Sequence, residues 1–200
     1  NNNKKHTIMK KSLITLLAVL GIIAVLVFYI IGTYNRLVRL DEAVTASWAQ
    51  VDNVYKRRAD LIPNLVSTVQ GYAKHESGTF QAVVEARAKA TQITVDPSNL
   101  TAEKLKEYQA AQGQVSSALG KLMMIQENYP DLKANQNFLD LQAQLEGTEN
   151  RIATERMNFN KAAQDFNTAI RRFPGMLFGF DKRAYFEATE ADKETPKVQF

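Results

Sequence analysis

The sequence predicts an all-α protein: an N-terminal transmembrane helix followed by an elongated antiparallel four-helix bundle with a partly irregular C-terminal tail. Three observations predict it. Residues Leu13–Gly32 (LITLLAVLGIIAVLVFYIIG) form an apolar run without a charge. Beyond the run, apolar residues recur at steps of three and four, the period of a helix with one buried face. No stretch joins β-branched alternation to hairpin-turn residues, so a sheet is not expected. The 200 residues, 45% apolar and 23% charged, are enough for one domain with an appendage. The expected divisions are a basic flank over 1–11, the membrane helix over 12–34, the bundle over 35–175, and a tail over 176–200 packed on the bundle.

The apolar run extends for about 30 Å as a helix, the thickness of a hydrocarbon core. A cleaved signal peptide would have a shorter core ending at a small-x-small site. Here the run leads into Tyr34, Asn35 and Arg36, and a retained anchor is the reading adopted. Lys4, Lys5, Lys10 and Lys11 precede it, against Arg36 and Arg39 just after. This asymmetry favours a cytoplasmic N-terminus and an extracytoplasmic domain on a single-pass protein. Met9 before Lys10 and Lys11 has the pattern of a translation start; counted from there, without Asn1–Ile8, the charge contest is nearly even. Tyr29 and Tyr34 are expected as aromatic anchors at the far interface.

Charge and cysteine content exclude several classes. The net charge of +4 arises in the flank: four of the 25 basic residues precede the span, leaving 21 against 21 acidic residues. The folded part lacks the basic excess that binding a phosphate backbone requires, so no nucleic-acid partner is expected. With no cysteine, disulfides, thiolate metal sites and a cysteine nucleophile are excluded.

After the span, Leu37, Leu40, Val44, Trp48, Val51 and Tyr55 fall on one helical face, and nothing from Gly32 to Arg58 breaks a helix. The membrane helix is therefore expected to run into the domain, with a kink at Pro63 and an end near Gly71. A second helix is expected over Glu76–Gln92, with Phe80, Val83, Val84 and Ala90 inward. Thr94–Asn99 reads as a turn, and Thr101 as the N-cap of a third helix carrying Leu105, Tyr108, Val115, Leu119, Leu122 and Met123. Asn128–Asp131 ends it. The fourth helix is the clearest: Phe138, Leu141, Leu145, Ile152, Phe159, Ala163, Phe166, Ile170 and Phe173 keep a near-heptad rhythm until Pro174–Gly175. In the tail, Phe178, Phe180, Tyr185 and Phe186 are expected to fold back on the bundle, ahead of an acidic run at Glu187–Glu194 and a short extended patch at Lys197–Phe200.

No catalytic equipment emerges. A bundle di-iron site needs Glu-x-x-His pairs, yet the only histidine of the domain, His75, follows Tyr72 at that spacing and lies in a turn. Gly113 and Gly120 have no Lys-Ser/Thr beside them, unlike a phosphate loop. Asp140/Glu146 and Glu103/Glu107 read as solvated helix faces. No cofactor, metal site or catalytic residue is predicted. What remains are surfaces: the seam Leu37, Leu40, Val44 and Trp48; the charge cluster Arg57, Arg58 and Asp60 beside Pro63; and a polar stripe of Arg156, Asn160, Gln164, Asn167 and Arg171. Trp48 suits a core as well as a contact, and the amides of Asn160 and Asn167 suit either an internal register role or a partner.

Several segments taken together resemble the LemA family of bacterial single-span membrane proteins. They are Tyr34-Asn35-x-Leu37-Val38; Arg57-Arg58-x-Asp60-Leu61-Ile62-Pro63-Asn64-Leu65-Val66; Tyr129-Pro130-x-Leu132-x-Ala134-Asn135; Glu149-Asn150-Arg151-Ile152 with Arg156, Phe159-Asn160, Phe166-Asn167 and Phe173-Pro174; and Tyr185-Phe186-Glu187 with Pro196-x-Val198-x-Phe200. The resemblance implies a helical bundle on a membrane anchor and transfers no catalytic residue. It also implies kinship with proteins of magnetosome membranes and with genes near membrane metalloproteases. The expected role is a non-enzymatic scaffold whose partners are the lipid bilayer, further copies of the chain as a homo-oligomer, and another membrane protein such as a protease. Alternatives are an adaptor presenting clients to a membrane protease through Arg57 and Arg58, and a small-ligand bundle with a cavity near Met123, Phe138 and Met157.

Overall fold

From Leu13 to Tyr72 the only residue that removes a helix hydrogen bond is Pro63, and one helix carries the whole stretch. In a computed structural model, which describes the backbone of residues 2–187 and the side chains from Leu13 onward, α1 spans Asn2–Tyr72. The apolar run and the first bundle helix are thus one element, as the uninterrupted pattern predicts. Side chains of the run, from Leu13 to Ile31, are exposed all round, as a helix facing lipid tails must be.

Pro63 does not end α1. Its missing N–H leaves the carbonyl of Ala59, four residues back, without an intrahelical donor. That acceptor is satisfied from another element: Arg87 Nε on α2 donates to it at 2.7 Å. The proline therefore converts a lost helix bond into a tertiary one.

Helix α2 covers Ser77–Gln92, one residue shorter at its start than expected, with Phe80, Val83, Ala86 and Ala90 buried. Val84 faces out, 52% exposed, because a helix of this length packs only one stripe and Val83 already occupies it. A short 3-10 turn at Pro97–Asn99 follows, with Asp96 accepting from the Ser98 backbone and hydroxyl; these two donors hold its carboxyl below the usual range. Thr101 caps α3, Ala102–Met124, by accepting from Lys104 N. Rather than stopping outright near Asn128, the chain tightens into a 3-10 turn at Ile125–Asn128 and a one-turn helix α4 at Pro130–Lys133. Asn135 then caps α5, Gln136–Arg171, through Phe138 N at 2.9 Å. The fourth long helix ends before Phe173, which is exposed rather than part of the seam. Among the described residues there is no strand.

Four long helices, α1, α2, α3 and α5, form the bundle, with α5 antiparallel to α1. Their core has two lengths. The membrane-distal length gathers Ile62, Leu65, Val69, Val83, Leu122 and Phe138; the proximal one gathers Leu37, Val44, Trp48, Leu105, Phe159 and Phe166. The chain after α5 turns through Gly175–Phe178 and runs back along the proximal length to Glu187. Gly175 is required there, since a Cβ would sit 2.3 Å from the Ala169 carbonyl oxygen. Gly179, with φ +69, takes the left-handed turn that redirects the chain. Most of the acidic run, from residue 188, and the patch at Lys197–Phe200 lie outside the described residues.

Candidate functional site: a buried arginine node and an asparagine-held strap

Between the two apolar lengths lies a polar layer. Arg58 is in phase with Tyr55 and Ile62 on the buried face of α1 and is only 1% exposed. Its Nη1 donates to Ser116 Oγ at 2.6 Å and to Glu149 at 3.0 Å; its Nη2 donates to the backbone carbonyl of Gln112 at 3.0 Å and to that residue's side-chain oxygen. The guanidinium also lies over the Tyr55 ring, 5.0 Å from its centroid. One cation thus ties α1 to both α3 and α5. Tyr108 stacks edge-on against Tyr55 beside it, and burial pushes its phenol far above the ordinary tyrosine range.

A cleft of about 220 Å³ opens beside this layer, lined by Asp52, Tyr55, Arg58, Arg87, Tyr108 and Gln112 among others. At its mouth Lys56 pairs with Asp52 at 2.6 Å, which raises the lysine's proton affinity. Of the residues expected around a cavity, Met123 lines an open pocket with Leu119, Leu145 and Glu149, whereas Phe138 and Met157 are not part of its lining. Phe138 fills the distal core, Met123 packs at its edge, and Met157 is 68% exposed. Among the described residues no three His, Asp or Glu side chains are grouped as a metal ion would need.

The polar stripe of α5 faces the returning chain. Asn167 accepts from Arg183 N and donates to Arg183 O, both at 2.8 Å. One helical heptad earlier, Asn160 accepts from Phe186 N at 2.8 Å and donates to Phe186 O at 3.0 Å. Each amide imitates a neighbouring strand, meeting both backbone groups of one residue. Arg156 and Gln109 donate to the carbonyl of Glu187. Two side chains lock the ends of this strap. Arg183 reaches Asp41 on α1 and the carbonyls of Pro97 and Ser98, and Phe186 is buried, stacked on Trp48 at 6.0 Å.

The sequence-predicted interaction residues therefore divide. Leu37, Val44 and Trp48 are core, with Leu40 half-buried at its edge; a seam packed inside its own bundle is not free for another chain. Arg58 is internal, which removes it from a docking patch and leaves Arg57 and Asp60 exposed on the outer face. Arg156, Asn160 and Asn167 hold the strap; for the two amides this is the internal of the two roles open to them, whereas the sequence marks Arg156 only as part of the polar stripe. Sequence reasoning missed Gln112, Ser116, Asp41, Arg87 and Arg183, and met Glu149 only as part of a family motif, without a role. One signal was available: Gln112 stands between Tyr108 and Val115 on an apolar face, as Arg58 does between Tyr55 and Ile62.

Comparison with known proteins places the chain in a family. The model of the LemA family matches residues 47–200. Magnetosome protein MamQ 2 of Paramagnetospirillum magneticum is 27% identical over 96% of this chain and 76% of the relative. Magnetosome protein MamQ of Magnetospirillum gryphiswaldense is 27% identical over 82% of this chain and 68% of its own. Protein LemA of Metamycoplasma hominis is 26% identical, covering 76% and 65%.

Proposed function

Because this chain belongs to the LemA family, we propose that it is a non-enzymatic, membrane-anchored helical scaffold that assembles with itself and organises other membrane proteins. The observation that carries this reading is the continuity of α1. A helix whose apolar side chains stand exposed along Leu13–Ile31 becomes, without a break, the central strut of the bundle. An event at either end is passed to the other with no flexible joint between. The conspicuous polar groups support the same reading, because Arg58, Asn160, Asn167 and Arg183 all hold helix to helix or strap to helix. The names of the MamQ relatives tie those proteins to the magnetosome, which supports a role in a bacterial membrane. The lysine-rich flank supports placing the bundle on the extracytoplasmic side of the inner membrane.

With the juxtamembrane seam folded inward, self-assembly falls to the span and the outer faces of α2, α3 and α5. Within the span only Thr15 and, near its far end, Tyr29 carry groups able to hydrogen-bond, so close packing must supply most of its association. Mass photometry of the full chain in mild detergent and in lipid nanodiscs tests the reading. Discrete oligomers that persist on dilution are expected. A monomer at every concentration in both media removes self-assembly from the proposal.

A further inference from the structure

The structure carries a second apolar surface at the membrane end of the bundle. Phe173, Met176 and Leu177, on and beside the turn Gly175–Phe178, are 73%, 62% and 69% exposed. Three large apolar side chains within five residues, all facing out, are costly in water. Their position is fixed by contacts to α1: the Tyr34 ring lies 5.4 Å from Phe178 and 6.1 Å from Phe180. Tyr34 stands two residues beyond Gly32, about 3 Å of helix rise past the end of the apolar run. Wherever the run meets the edge of the hydrocarbon, the turn is held at that same level.

Charge accompanies the patch. Arg171 and Arg172 precede the turn and Lys182 follows it, all exposed, with Asp181 the one acid between them. Arg36 and Arg39 are exposed on α1 at the same end. An apolar tip ringed by basic residues matches a bilayer surface, where apolar groups enter the acyl boundary and cations meet phosphates. A second copy of the chain offers no such match, since the same basic ring on it would repel.

We infer that the Phe173–Leu177 turn inserts into the membrane interface beside the anchor helix, giving the bundle a second foot on the lipid surface. The inference rests on the span reading and deepens it: the bundle is seated on the bilayer at two points instead of swinging on one.

The chain has no cysteine, so single labels can be placed without removing any native residue. Leu177→Cys carrying an environment-sensitive fluorophore, in the full chain in phosphatidylcholine vesicles with and without phosphatidylglycerol, reports the turn. Val25→Cys reports the span, and Asn128→Cys the distal end. At Leu177 we expect blue-shifted emission, quenching by a nitroxide carried near the lipid headgroup, and loss of quenching by aqueous iodide. The effect should be stronger with the anionic lipid and should weaken on adding Phe173→Ser and Met176→Ser. Asn128 should show the reverse. Iodide quenching at Leu177 as strong as at Asn128 overturns the inference. So does protection from iodide without nitroxide quenching, which would mean protein covers the turn. A Val25 label that escapes a deep lipid quencher would instead overturn the span reading itself.

Discussion

At position 58 a guanidinium sits where the helical phase calls for an apolar side chain, and its acceptors come from two other helices. Arg58→Ala would leave the Gln112 side chain and Ser116 without their donor and open a gap between the two core lengths. Breaking a buried charged network in this way costs about 3 kcal/mol. Glu149, whose side chain is 38% exposed, can turn to water, so Glu149→Ala should cost at most about 1 kcal/mol. Arg58→Lys should fall between, because an ammonium on a flexible stem cannot serve Ser116 and both Gln112 oxygens as the planar fork does. Urea unfolding of the full chain in detergent, followed by helical circular dichroism, measures all three. Equal losses for Arg58→Ala and Glu149→Ala would show that the ion pair alone matters and the amide and hydroxyl do not. The inward place of Arg58 was legible from its spacing to Tyr55 and Ile62; the doublet with Arg57 obscured it, since two adjacent arginines read as one surface cluster. Glu149 was not legible, because an acid on a half-exposed helix face has no phase that marks it.

Among the elements, α1 and α2 are joined at a point the sequence half discloses. Pro63 announces a freed carbonyl at Ala59, but not the side chain that takes it. Arg87→Ala should orphan that carbonyl and cost about 1–2 kcal/mol. In a Pro63→Ala background the intrahelical bond from residue 63 can form again, so the same Arg87→Ala change should cost much less. The cycle isolates a coupling of about 1 kcal/mol between residues on different helices; additive losses would mean that Arg87 acts through packing alone. The four long helices were readable because each buries a stripe at the helical period, and Thr101 marks one boundary by its chemistry. The strap was readable only in part. Phe178, Phe180 and Phe186 give away its apolar contacts, whereas its hydrogen bonds run from Asn160 and Asn167 to backbone groups, which carry no residue-type signature. The heptad spacing of the two asparagines was visible, but the segment they grip was not. Val84 and Phe173 mark the opposite failure: an apolar residue near a buried stripe is not obliged to join it.

For the molecule as a whole, the consequence of one helix serving as both anchor and strut is a fixed stance on the bilayer. From Gly32 to Tyr72 the helix rises about 60 Å at 1.5 Å per residue, and the distal turn at 73–76 rides on its end. The polar layer at Arg58 holds the halves of the bundle in register along this length, and the strap binds the proximal half to α1 through Asp41 and Trp48. Neither leaves a hinge. Atomic force microscopy of the full chain in a supported bilayer should therefore find the bundle standing above the lipid by about 60 Å multiplied by the cosine of its tilt. Inserting Gly-Gly after Gly32 adds a joint at the membrane surface and should broaden the height distribution toward lower values, since glycine weakens the helix where no packing supports it. The bundle's own unfolding should be unchanged by that insertion, because the core begins at Leu37. A native chain lying at roughly 30 Å or below, near the thickness of a few packed helices, would show that α1 bends between lipid and bundle, and a scaffold that sets partners at a defined distance from the membrane would lose its physical basis.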